Sequence, residues 1–94
     1  MLDIFDKKTL VYTREFASPA DEYAYLLEQC RGYKLLLSQS GSSQPAVAEH
    51  RDRAEAHHAD AEEQANRENW AKAIEHMQRA VAEYDRAVRA ARMY

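Results

Sequence analysis

Turn formers are scarce in this chain: 94 residues hold two glycines and two prolines. A many-stranded β fold needs a turn roughly every 8–12 residues, so that scarcity argues against one. There is a single cysteine, which excludes an internal disulfide framework and fits a reducing compartment. Aliphatic runs are short, Leu35-Leu36-Leu37 among them, so no membrane span is expected. Neither sign of charge dominates. Sixteen acidic and 13 basic side chains give a net charge of −3, spread along the chain, so nucleic acid is not an expected partner. The opening MLDIFDKK carries acids and lacks an apolar signal core, so a cytoplasmic location is expected. A Gly-rich phosphate loop, paired catalytic carboxylates and a Ser/His/Asp arrangement are all missing. The reading is therefore non-enzymatic, with no cofactor.

What is present is helical. Hydrophobic residues make up 46% and charged residues 31%, too apolar a mixture for a disordered tail. Ser18-Pro19 and the stretch from Ser38 to Pro45 punctuate the chain. After the first break, Ser18 suits a cap, Pro19 the first helical position, and Asp21 and Glu22 the positive end of the helix dipole. Tyr23, Leu26, Cys30, Tyr33 and Leu37 then recur at 3-4-3-4 spacing, one helical face, which Leu27, Leu35 and Leu36 broaden. Gly32 either weakens this helix or permits a close backbone contact. Cys30 falls on the apolar face and reads as a structural thiol.

From Pro45 onward no glycine occurs. Asn66-Arg67-Glu68-Asn69 interrupts this region with residues suited to a helix end and an N-cap, so a hairpin turning there is expected. Its second arm carries an unbroken heptad seam: Trp70, Ile74, Met77, Val81, Tyr84, Val88 and Ala91. Beside the seam, Ala73, Ala80 and Ala87 recur every seven residues. The first arm is the opposite, with Val47 its one bulky aliphatic side chain. Ala54, Ala61 and Ala65 form a thin apolar line near His50, His57 and His58. Such a helix offers holes rather than knobs, to be clamped against the alanine stripe. In the first 17 residues, Leu2, Ile4 and Phe5 precede Thr9–Thr13, which has strand chemistry but needs a partner.

Several side chains invite a chemical reading. Glu55-x-x-His58 with Glu62 has the spacing of carboxylate-bridged di-metal helices, so a ferritin-like metal-binding protein is the alternative function. Arg51 and His57 fit the loose Arg…His spacing of helical HEPN ribonucleases, a spacing that charged helices often produce. Arg79, Arg86, Arg89 and Arg92 complement a helix C-terminus, and interleaved acids break any phosphate-binding track. Six tyrosines and one tryptophan suit either partial burial or an interface.

The stretch from Asn69 to Val81, with Trp70, Ala73, Met77 and Ala80 at matching intervals, resembles the second helix of a tetratricopeptide repeat. It is similar at the same place to the hairpin of microtubule-interacting and transport domains. The resemblance covers these residues only. His57, Asp60 and Gln64 depart from the large apolar residues such a repeat would have in the preceding helix. It implies a helical hairpin and, by analogy, peptide binding.

The expected fold is all-α: a three-helix bundle with a long C-terminal helical hairpin and an extended N-terminal arm. The arm takes 1–17 and a single helical domain takes 18–94, with helices at about 19–37, 45–66 and 70–93. The expected function is a small protein-interaction module (adaptor, assembly subunit or inhibitor), of bacterial or phage origin, acting as a homodimer. Leu26, Leu27, Tyr33, Leu36, Val81, Tyr84 and Val88 are the expected contact, because helices one and three own more apolar surface than helix two can cover. Trp70, Ile74 and Met77 are expected to hold the hairpin core. The three histidines of helix two should oppose packing at acidic pH if they face the hairpin interface.

Overall fold

Ser18 starts the first helix as a cap. Its Oγ accepts a hydrogen bond from the Asp21 amide at 3.2 Å, and Pro19 takes the first helical position. The computed structural model describes Ile4–Phe5, Leu10–Val11 and residues 16–40 and 44–93. It is an all-α three-helix bundle. Its helices are α1 (Pro19–Ser40), α2 (Pro45–Asn66) and α3 (Trp70–Met93). Helix α1 runs to Ser40 rather than ending at Leu37. The Ser38 and Ser40 hydroxyls donate to the Leu35 and Leu37 carbonyls at 2.7 and 2.8 Å, satisfying orphan acceptors of the last turn. In the arm, β1 (Ile4–Phe5) pairs antiparallel with β2 (Leu10–Val11), in the register Ile4↔Val11 and Phe5↔Leu10. The strand-like segment thus finds its partner within the arm, and β2 passes beside α3. Thr9, Tyr12 and Thr13 lie outside the described residues.

The hairpin turns at Arg67–Asn69 by a Schellman motif. The Glu68 amide bonds the Ala65 carbonyl and the Asn69 amide bonds the Gln64 carbonyl, both at 2.9 Å. Glu68 occupies the left-handed position at φ 60°, where glycine is usual. Asn69 then opens α3: its carbonyl accepts from the Ala73 amide at 3.0 Å, while its side chain donates to Gln64 Oε1 at 3.1 Å.

Two heptad columns run up this hairpin. Val47, Ala54 and Ala61 on α2, and Ala73, Ala80 and Ala87 on α3, are all buried. Beside them runs a polar column, Gln64–Asn69, His57–His76 and His50–Glu83, each pair in contact across the two helices. These pairs set the register, because residues equidistant from the turn face one another.

Helix α3 is the centre of the bundle. Helix α2 packs on its alanine side and α1 on its seam, whereas no Cα of α1 comes within 8 Å of a Cα of α2 among the described residues. Leu26 and Cys30 of α1, Ala54 and Ala61 of α2, and Met77, Ala80, Val81 and Tyr84 of α3 form one core. Gly32 permits no close approach, since a Cβ there would meet nothing within 4 Å.

Gly32→Ala, in an open helix interior, and Glu68→Gly, at the left-handed turn, should each raise the unfolding free energy by about 1 kcal/mol in denaturant titrations. Ala80→Leu should lower it by about 1–3 kcal/mol, because a larger side chain forces α2 away from α3.

Candidate functional site

Because α1 and α2 both pack on α3 without approaching each other, an open groove of about 250 Å³ lies between them. Lys34, Leu37 and Ser38 of α1 form one wall, Arg51 and Glu55 of α2 the other, and Tyr84 of α3 the floor. Tyr84 is 1% exposed, and its hydroxyl has no hydrogen-bond partner among the described residues. Burial, with smaller contributions from Glu55 and Cys30, pushes its pKa up to about 12 against the opposing Arg51. The phenol therefore remains a donor at neutral pH. Arg51 is held loosely: its guanidinium lies 3.6 Å from both Asp52 and Glu55. Lys34 has no ion-pair partner among the described residues.

A second groove, of about 260 Å³, lies at the far end of α1. It is bounded by Leu36 and Leu37 on one side and by Val88, Ala91 and Arg92 on the other. Among the described residues, Leu35 and Leu36 are the exposed large hydrophobic side chains, at 59% and 42%, and Leu36 lines this groove.

The expected contact surface is largely internal. Leu26, Val81, Tyr84 and Val88 are buried within the chain, and Leu27 and Tyr33 pack half-buried against the core. Tyr33 is further tied to α3, since its hydroxyl hydrogen-bonds Asp85; burial first and that carboxylate second raise its pKa to about 12. Of the seven, only Leu36 is exposed. The physical reason is that α1 itself lies along the α3 seam. Trp70 and Met77 also meet α1: the Trp70 ring sits 5.7 Å from that of Tyr23, and Cys30 Sγ donates to Met77 Sδ at 3.3 Å. Ile74 packs against the same core. Burial lifts the Cys30 thiol to about 12, so it stays protonated and structural.

The metal alternative does not assemble. His58 Nε2 lies 3.1 Å from Glu62 Oε1, but Glu55 turns to Arg51 and the groove. Among the described residues no three His, Cys, Asp or Glu side chains converge on a metal position. Arg51 and His57 also part company, because His57 stacks on His76 with ring centroids 5.9 Å apart. His50 Nδ1 meets Glu83 Oε1 at 2.8 Å across the same interface.

Sequence reasoning missed the groove. The available signal was Tyr84 at a core seam position, since a buried tyrosine hydroxyl ordinarily demands a partner. Comparison with protein-family models, with curated proteins and with solved structures found no match. No helix among the described residues is long and apolar enough to cross a membrane.

His58 generates a pH prediction. Burial is the largest influence and lowers its pKa from 6.5; Glu62 opposes this, and Lys34 and Arg31 of α1 add to it. A histidine that binds its proton more weakly when folded favours the fold fully above pH 6.5, and that contribution is lost as pH falls below it. Melting temperature should therefore fall from pH 7.5 to 5.5, and His58→Gln should reduce the fall. An unchanged fall in the variant would assign it to other groups.

Proposed function

We propose that this chain is a small, non-enzymatic, cytoplasmic protein-interaction module that acts as a homodimer, serving as an adaptor or assembly subunit. The observation that carries the reading is exposed Leu36, which lines an apolar groove with Leu37, Val88 and Ala91. An exposed apolar side chain and an apolar groove thus share one surface. A two-fold interface requires that arrangement, because each copy offers the other the same surface. Gln39, Ser40 and Arg92 give the patch a polar rim. The tetratricopeptide-like stretch from Asn69 to Val81 supports the hairpin scaffold of this reading.

Light scattering across a dilution series tests it. The protein should scatter as a dimer, and Leu36→Asp should weaken dimerisation by roughly tenfold or more without changing helicity, since the side chain is exposed. A monomer that persists at high concentration would rule the homodimer out.

A further inference from the structure

We propose that the chain exchanges its helices with a second copy of itself, opening at Arg67–Asn69 so that α2 and α3 join into one continuous helix. Glu68 sits at φ 60°, a left-handed conformation that its Cβ disfavours, in a turn that joins Asn66 directly to Trp70 through three residues. A short hinge under strain invites exchange. From Ala46 to Tyr94 the sequence has neither glycine nor proline to stop a helix. Straightening the turn removes the left-handed residue and keeps the Arg67–Glu63 ion pair at its i, i+4 spacing. It also sets Glu68 four residues before Lys72, the favourable order for a second helical pair. The Schellman hydrogen bonds and the weak helix formers Asn66 and Asn69 oppose the straightening, which keeps the closed monomer accessible.

The packing allows exchange without loss. Helices α1 and α2 and strand β2 each contact α3, and α1 does not contact α2 among the described residues. The α3 of a second copy can therefore supply what the chain's own α3 supplies. The chain from Ser40 to Pro45 reaches at most about 18 Å. That is short of the length of α2, about 33 Å, so α1 travels with α2. The register also survives. His50–Glu83, His57–His76 and Gln64–Asn69 are equidistant from a point between Asn66 and Arg67, so the same pairs form between two antiparallel chains with a two-fold axis there. In this dimer the second copy contributes Tyr84 to the floor of each α1–α2 groove.

The exchanged dimer uses none of the Leu36 surface, so it stands or falls apart from the interface proposed there. The full chain and its Leu36→Asp variant are each unfolded in denaturant, refolded at millimolar concentration and separated by size. Both should yield a dimer. X-ray scattering should give that dimer a longest dimension of about 73 Å or more, the length of a continuous helix from Pro45 to Met93, against 39 Å for the closed chain. When isotope-labelled and unlabelled chains are refolded together, NMR contacts between the His57 and His76 rings should join different chains. Glu68→Gly, which removes the strain of the closed turn, should lower the association constant of the dimer about tenfold or more. Glu68→Ala keeps a Cβ at the turn and favours helix, so it should not lower that constant. Absence of a dimer in Leu36→Asp, His57–His76 contacts confined to one chain, or unchanged association in Glu68→Gly would each overturn the proposal.

Discussion

Close approach of two helix backbones along matched small residues is the constraint on which the rest of this structure depends. Val47, Ala54 and Ala61 oppose Ala73, Ala80 and Ala87 at heptad intervals, and all are buried. Alanine lets helices come close, but it removes little apolar area from water per residue. The hairpin therefore cannot be held by these columns alone. Its remaining stabilisation comes from the polar column beside them and from α1, whose Leu26 and Cys30 close over Met77, Val81 and Tyr84. A third helix is thus a requirement of the alanine hairpin rather than an addition to it.

The elements themselves were legible in the sequence, and for local reasons. Ser18 with Pro19, the Pro45 start and the Asn66–Asn69 interruption are signals that act within a few residues, and the helices begin and end at them. The heptad seam and the alanine stripe were equally plain, because periodicity reports which side chains share a face. Periodicity does not report which neighbour covers that face. For this reason Val81, Tyr84 and Val88 read as a surface awaiting a partner, whereas α1 occupies it. The α1 pattern contained a hint of this: Tyr23, Leu26, Cys30 and Tyr33 match the spacing needed to lie along a heptad seam. The arm's pairing of Ile4–Phe5 with Leu10–Val11 was less accessible, since a two-residue strand is too short for alternation to mark it.

The histidines illustrate the same limit at finer scale. His57 and His58 are adjacent in sequence, and successive helical residues point about 100° apart. One faces α3 and stacks on His76, and the other faces the cations of α1. The metal reading took Glu55, His58 and Glu62 as one face of a single helix. Helical spacing brought His58 to Glu62, but the groove drew Glu55 toward Arg51.

The groove follows from what α2 lacks. A helix with long apolar side chains on its α1 side would reach across and close the bundle into a triangle. Helix α2 has Val47 as its one bulky aliphatic residue, so on that side it presents Arg51 and Glu55 instead. Charged groups cannot be buried against Leu37 without partners, and so α1 and α2 stay apart. Tyr84, buried at the seam, forms the floor of the space they leave. The poverty of apolar side chains that makes α2 a good partner for the alanine stripe thereby also makes it a poor one for α1. One compositional feature thus yields both the tight hairpin and the open, partly charged cleft above it.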